Sequence, residues 1–226
     1  MAKLSRRSFL GSLAGAAVGL LARPLTPSVL AAGKRIEVIC RDAWGAVEPT
    51  GDFRRHRIRR LTIHHSGVAL RDNRDAPARF RSHQRSHQAR GWPDIAYHLL
   101  IDRNGNVYEG RPIGAVGDTA TNYDPKGHLG VLCEGHFGEQ RPSPEQLQAL
   151  TAVLAWASAR YGVAPELIRA HQDYADTACP GTSMYRRVGE VRRGVKQRLA
   201  SGGVRRVEMC GDAGTQRVAD IAAGID

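Results

Sequence analysis

The segment 143–162 constrains the fold more than any other part of the chain. It opens with Ser143, Pro144 and Gln146, and a serine followed by proline at the first helical position and glutamine at the third is typical of a helix start. Apolar side chains then recur on one face, at positions 147, 150, 153, 154, 157 and 161, until Gly162 ends the pattern. Such a helix must bury its apolar face against a second layer of structure, so this face is predicted to be core.

Short apolar runs provide the predicted second layer, with strands or strand ends expected at residues 61–65, 95–101, 107–109, 129–132 and 168–170. The Asn104-Gly105 turn joins two of these runs into a hairpin. A second helix is predicted over 76–90, with Asp75 as cap and Gly91 as its stop. The pattern indicates an α/β protein: a single domain, residues 33–200, in which a central mixed β-sheet is flanked by α-helices. Residues 201–226 are rich in glycine and charge with weak periodicity, which predicts a peripheral or mobile C-terminal tail.

The N-terminus, residues 1–32, has the features of an export signal. Arg6 and Arg7 precede Phe9 and Leu10, and the apolar stretch 10–22 is shorter than the roughly 20 residues that a membrane span needs. The paired arginines resemble the bacterial twin-arginine signal, which is read by the Tat export machinery, and cleavage is expected near Ala31. A Sec signal or a retained anchor is the alternative. We expect a periplasmic or secreted protein without stable membrane insertion after cleavage.

The charge balance points to anionic partners. The formal net charge is +11, and only four of the basic residues lie in the first 31 positions. A basic cluster at 54–60 could contact an anionic polymer, although an exposed charge run is usually only solvated. Nucleic acid is not expected for an exported protein.

The four cysteines are too few and too scattered for a disulfide scaffold, and sequence pairs no two of them. If one of them binds a metal, at most one disulfide remains. The other three would then be Cys40, Cys133 and Cys210.

Three residues form a candidate metal site. His171 and Cys179 stand eight positions apart in a segment closed by Pro180-Gly181, and imidazole and thiolate are ligands that Zn²⁺ prefers. Taken alone, a buried cysteine near a surface histidine would be the simpler interpretation. His64 ends a predicted strand and supplies a third ligand, whereas His65 points to the opposite face. Zinc with three protein ligands keeps one position open and activates water for hydrolysis.

These segments resemble the zinc-dependent N-acetylmuramoyl-L-alanine amidases of type 2, a family that includes peptidoglycan recognition proteins and phage amidases. The resemblance covers roughly residues 38–190 in family order. It is carried by Arg41-Asp-Ala-Trp-Gly-Ala, Ile63-His-His-Ser, Gly91-Trp-Pro-Asp-Ile-Ala-Tyr-His, Asn106-Val-Tyr-Glu-Gly-Arg and the segment 171–181.

The resemblance implies a role for each site residue. His64, His171 and Cys179 would be the zinc ligands, and His65 would support them or pack beside them. Tyr97 would donate a hydrogen bond to the oxyanion of the reaction, and Thr177 would have an auxiliary polar role. Gln172 stands where the family usually has arginine, which leaves Asp173 as a possible partner for a ligand histidine.

The expected activity is hydrolysis of the amide bond between N-acetylmuramic acid and L-alanine in peptidoglycan or a muropeptide, by a monomer. A non-catalytic peptidoglycan-binding module is one alternative, because family members that lack the cysteine bind without cutting. A zinc peptidase that cuts elsewhere in the stem peptide is the other.

Overall fold

The computed structural model describes residues 35–225. The strands are β1 (Arg35–Ile39), β2 (Arg60–His65), β3 (Leu99–Ile101), β4 (Val107–Glu109), β5 (His128–Cys133), β6 (Ile168–Ala170) and β7 (Arg205–Met209). The helices are α1 (Arg41–Trp44), α2 (Ala76–Ala89), α3 (Pro144–Tyr161), α4 (Thr182–Tyr185), α5 (Val188–Ala200) and α6 (Gly211–Ala223). The strands form one seven-stranded sheet in the order β6-β2-β5-β3-β4-β1-β7. Only the β3–β4 pair within this sheet is antiparallel, so the predicted central mixed sheet with flanking helices is confirmed.

Helices cover the sheet on both faces. The strand β3 shows the division, because Leu99 and Ile101 pack in the cluster that contains α3 and α5, while Leu100 packs in the cluster that contains α1, α2 and α6. Successive side chains of a strand point to opposite faces, so one short strand contributes to both cores. All three of these side chains are fully buried. The sheet is therefore held rigid between two layers of helix.

The predicted helix over 143–162 is confirmed as α3. Ser143 Oγ accepts the Gln146 N–H at 3.1 Å, and Gly162 ends the helix in the left-handed region at φ 66°. The Gln146 side chain does not return to the cap. It is fully buried and donates to the carbonyl oxygens of Ile101 and Glu134, at 3.1 and 3.0 Å. This glutamine therefore joins α3 to the ends of β3 and β5.

The second helix is found one residue shorter than predicted, as α2, and the hairpin is found with a shorter first strand. The turn is held by the Asp102 carboxylate, which accepts the N–H groups of Asn104 and Asn106 at 3.0 and 2.9 Å. The first strand is shorter than predicted because side chains take the N–H groups at its expected start: Ile95 N–H donates to the Asp94 carboxylate and Ala96 N–H donates to His87 Nδ1.

The C-terminal segment, for which a peripheral or mobile tail is expected, contains regular structure. Residues 205–223 contain β7, which pairs with β1 over five residues, and α6, whose Ile221 is fully buried. A disulfide between Cys40 and Cys210 joins the residues that precede α1 and α6. The strand is at the sheet edge and half exposed, which explains its weak pattern, and its partner β1 is distant in sequence. These residues are therefore peripheral, as an edge strand and its covering helix, but they belong to the same sheet as the rest of the domain.

Removing this disulfide is expected to lower stability. The bond closes a span of 170 residues, and Cys40→Ser/Cys210→Ser should therefore reduce the free energy of unfolding by about 2–4 kcal/mol, measured by denaturant titration. Reduction of the unmodified protein should give a similar loss and should leave the double variant unchanged. Equal stability of the unmodified protein and the double variant, both measured without reductant, would show that the C-terminal segment is held by packing alone.

Candidate metal centre

The five residues predicted to bind zinc or to assist the reaction line one cavity of about 240 Å³; they are His64, Tyr97, His171, Thr177 and Cys179. The cavity lies at the carboxyl ends of the parallel strands β2 and β6, where His64 is next to last in β2 and His171 directly follows β6. The metal-binding atoms of His64, His171 and Cys179 all lie within 4.8 Å of one another. Cys179 Sγ is 3.7 Å from His64 Nδ1, and the two imidazole rings have centroids 4.7 Å apart. The structure thus brings together three side chains separated by up to 115 positions in the chain.

The sheet fixes the position of His64. Its side chain is buried, since β2 is paired on one side with β5 and on the other with β6. Gly130 of β5 lies beside its ring, where an added Cβ would be 3.6 Å from two of the ring atoms. His171 is oriented by a hydrogen bond of 2.8 Å between its Nε2 and Thr121 Oγ1. A ligand histidine is usually held through the nitrogen that does not bind metal, and Thr121 would serve in this way.

The loop that carries Cys179 is held by its own backbone. The Cys179 carbonyl accepts the Gln172 N–H at 2.9 Å, and its N–H donates to Thr177 Oγ1 at 3.2 Å. The Cys179–Pro180 peptide bond is cis. Gly181 follows at φ 84° and passes so close to Phe137 that an added Cβ would lie 2.4 Å from its carbonyl carbon. No other residue type fits there. This close approach fixes the chain two residues after Cys179, whose thiol lies at the cavity.

His65 supports the thiol through its backbone. Its N–H donates to Cys179 Sγ at 3.4 Å, while its ring Nδ1 accepts the Phe137 N–H at 3.3 Å. The ring packs against those of His136 and Phe137 and is not part of the three-residue cluster, as the alternation along the strand predicts. A backbone donor to sulfur favours the thiolate over the thiol.

The electrostatics of the cavity suit a cation. Burial lowers the pKa of His64 well below its usual range, lowers that of His65 to about 4 and lowers that of His171, so the rings are neutral at pH 7. Burial raises the pKa of the Cys179 thiol to about 12, and the His65 N–H opposes this shift. A thiolate at that position requires a cation beside it. Two neutral imidazoles and one thiol are a donor set that fits Zn²⁺ with one open position.

Tyr97 and Thr177 lie at the same cavity without belonging to the cluster. The Tyr97 ring has its centroid 5.0 Å from that of His64, and burial raises the pKa of its hydroxyl above the usual range. Its hydroxyl has no hydrogen-bond partner among residues 35–225, so it remains a donor for a bound group. Thr177 is engaged by the Cys179 N–H and holds the loop.

Comparison with known proteins identifies the family. Residues 54–182, more than half of the chain, match the sequence profile described as N-acetylmuramoyl-L-alanine amidase. The chain belongs to this amidase family. The endolysin of Enterobacteria phage T3 is 34% identical over 105 residues, which are 44% of this chain and 68% of the endolysin. Peptidoglycan-recognition protein SC2 of Drosophila simulans is 33% identical over 99 residues, which are 43% of this chain but only 53% of that protein.

Solved structures of related proteins share the fold. Drosophila peptidoglycan recognition protein SD has a TM-score of 0.63 at 27% identity, over 69% of this chain and 95% of that one. The amidase LysC of Clostridium intestinale has a TM-score of 0.57 over 72% of this chain and 97% of that one, and at 24% identity it supports the fold alone. The family profile ends before α5, so β7 and α6 lie outside it.

The sequence did not predict several other residues that line the same cavity. Its wall includes Arg90, Trp92, Asp118 and Thr121. Thr121 lies in an irregular loop, and no local pattern marks it as a partner of His171. Trp92 falls within one of the quoted family motifs, which could have suggested a place at the cavity. His87 also lines this cavity, where its ring packs against those of Trp92 and Tyr97.

The suggested role of Asp173 as partner of a ligand histidine is not observed. Its carboxylate accepts the Ala170 N–H at 2.8 Å and the Tyr185 hydroxyl at 2.8 Å. Both contacts hold the turn that follows β6. Asp173 therefore supports His171 only through the backbone of that turn.

Proposed function

We propose that this protein is a zinc-dependent N-acetylmuramoyl-L-alanine amidase that hydrolyses the bond between N-acetylmuramic acid and L-alanine in peptidoglycan or a muropeptide. The convergence of two histidines and one cysteine within 4.8 Å at an open cavity carries this proposal. Relatives named endolysin and N-acetylmuramoyl-L-alanine amidase support it.

In this proposal each residue of the cavity has a separate task. His64, His171 and Cys179 would hold zinc, which when bound supplies Lewis acidity and activates water. Thr121 and the His65 N–H orient two of these ligands. Tyr97 donates its hydroxyl proton in a hydrogen bond to the carbonyl oxygen as charge develops there. Thr177 keeps the cysteine loop closed.

The peptidoglycan recognition relatives make a binding-only function the second candidate. Recognition protein LE was solved in complex with tracheal cytotoxin, a monomeric diaminopimelic acid-type peptidoglycan. The complete set of three ligand side chains in this chain favours the enzyme, because binding alone does not need a thiol beside two buried histidines.

Mass analysis of digested cell wall tests the proposal. Amidase cleavage adds one water across the lactyl–alanine amide, so it releases whole stem peptides with a free alanine amino group and leaves sugars with a free lactyl carboxylate. A peptidase would leave alanine attached to the sugar, and a binding module would release nothing. Either result would overturn the proposed activity.

The proposed site of action is the periplasm or the cell exterior, reached through the Tat machinery. Residues 1–32, including Arg6 and Arg7, lie outside the described part of the structure. Among the residues that it does describe, no helix is long and apolar enough to cross a membrane.

Changing Arg6 and Arg7 to lysine should leave the protein in the cytoplasm with its signal uncleaved, because the paired arginines are the recognised feature. Cell fractionation and the mass of the purified chain measure this outcome. An Arg23→Lys variant is the matched control and should be exported normally. Unchanged export of the double variant would indicate the Sec route.

A further inference from the structure

A second cavity, of about 370 Å³, lies at the other end of β2 from the histidine pair. We call it the basic pocket, and four cationic residues line it: Arg57, Arg59, Arg60 and Lys126. The remaining lining residues are His56, Asp124 and Gly127. The pocket contains most of the basic cluster that sequence alone could not distinguish from a solvated surface.

The positive charges of these four side chains are not paired with acidic side chains in the described part of the chain. Within residues 35–225, none of their side chains has an ion pair or a hydrogen bond to another side chain. The single acid of the pocket, Asp124, is paired with Arg54 at 3.6 Å instead. Like charges gathered around a concave surface raise the local positive potential and favour an anion there. This uncompensated charge distinguishes the pocket from pairs such as Lys196 with Glu166 elsewhere on the surface.

The backbone beneath the pocket is fixed. The Gly127 carbonyl accepts the N–H groups of Arg59 and Arg60 at 2.8 and 3.0 Å, and the Gly127 N–H donates to His56 Nδ1 at 2.9 Å. His56 Nε2 in turn donates to the Ile113 carbonyl at 2.9 Å. With one ring nitrogen accepting and the other donating, this histidine is neutral and connects the two backbone segments. The arginines therefore project from a pre-formed surface, so less entropy is lost when they bind a ligand.

The pocket and the metal cavity share one loop. Asp118, Thr119 and Thr121 line the metal cavity, whereas Asp124, Lys126 and Gly127 line the basic pocket. Tyr123 lies between them, with its ring centroid 5.1 Å from that of His171 and 5.3 Å from that of His128. Arg60 and His64 are four residues apart on β2, which corresponds to about 13 Å along the strand.

We propose that the basic pocket is an anion-binding subsite for the polymer whose amide bond lies at the metal cavity. It binds a carboxylate or phosphate group of that polymer, at a distance of about the length of β2 from the amide bond. The proposal rests on the proposed function for the identity of the polymer. Arginine can bind either group with two parallel hydrogen bonds, and three arginines and a lysine suit a ligand that carries several negative charges. The subsite would increase affinity for long wall polymer without taking part in the reaction.

Binding to intact, insoluble cell wall tests the subsite directly. The full-length chain is incubated with the wall in a chelator, so that no polymer is cut, and the free protein is measured at increasing wall concentration. Arg57→Gln/Arg60→Gln should weaken binding about threefold to tenfold, as expected for the loss of two exposed charge contacts. Arg85→Gln/Arg193→Gln removes the same charge from exposed positions on α2 and α5 and should bind like the unmodified protein. Equal binding by the two glutamine variants would overturn the subsite, whatever any amidase assay shows.

Two further measurements identify which group of the polymer binds in the pocket and how. Arg57→Lys/Arg60→Lys keeps the charge but not the paired hydrogen bonds, so its binding should lie between that of the unmodified protein and that of the glutamine variant. Binding no stronger than that of the glutamine variant would contradict a contribution from charge. Citrate and tripolyphosphate are then used as competitors, and the anion that displaces the wall at lower concentration shows whether carboxylate or phosphate is preferred. Displacement no better than with sodium chloride of equal ionic strength would also overturn the proposal. If binding in the chelator follows these expectations but the protein supplied with zinc cuts no amide bond in a separate digestion of cell wall, the proposed activity fails while the subsite stands.

Discussion

Cys179→Ser is expected to lose nearly all bound zinc and to lower amide hydrolysis at least about 10³-fold, since the activation that a metal supplies is worth several kcal/mol. Serine is nearly the same size as cysteine, but its hydroxyl is a poor zinc ligand at neutral pH. The variant should also lose the thermal stabilisation that added zinc gives to the unmodified protein, because a metal that binds only the folded state stabilises it by mass action. Metal analysis of protein purified without added metal measures the first effect.

Cys133→Ala is the matched control. Cys133 is the other free cysteine in the described part of the chain, and burial raises the pKa of its thiol. It is not in the His64–His171–Cys179 cluster, so its removal should leave zinc content and activity close to those of the unmodified protein. Equal zinc in Cys179→Ser and in the unmodified protein would remove Cys179 from the ligand set.

Tyr97→Phe is expected to lower kcat by about 10²–10³-fold while zinc content stays complete, as for the loss of one oxyanion donor. The Tyr97 ring packs against His64, so the phenyl ring preserves this contact and removes only the hydroxyl. KM should change little, because an interaction made only in the transition state does not affect ground-state binding. The assay counts newly exposed alanine amino groups.

Tyr161→Phe provides the control for this second variant. Tyr161 ends α3, packs against Trp156 and does not line the cavity, so its hydroxyl should not affect turnover. Zinc loss in Tyr97→Phe would make Tyr97 a structural residue. Turnover at the rate of the unmodified protein would show that the oxyanion needs no tyrosine.

Local patterns predicted the elements whose signals lie within a few residues. The helix α3 was predictable because its cap, its apolar stripe and its terminal glycine all belong to one segment. The hairpin was predictable from its Asn-Gly turn, and the choice of His64 over His65 followed from strand alternation. Ligand chemistry suggested His64, His171 and Cys179 as one site and the family resemblance supported that choice, but no local rule shows that such distant segments meet.

Long-range contacts explain what sequence could not predict. The strands β1 and β7 are neighbours in the sheet although the whole family domain separates them, and the Cys40–Cys210 disulfide depends on that pairing. Thr121 reaches His171 across 50 positions from a loop without regular structure. The basic pocket likewise needs Lys126 beside arginines from 57 to 60, so its concave shape appears only in the folded chain.

Zinc titration of metal-free protein tests the central claim most directly, with release of whole stem peptides from cell wall as the readout. The three-ligand cluster predicts that activity rises linearly and reaches its plateau at one zinc per chain, and that Cys179→Ser shows no comparable rise over the same range. Full release of stem peptides by the metal-free protein, or the same titration curve for Cys179→Ser, would contradict the assignment of this cluster as the catalytic centre.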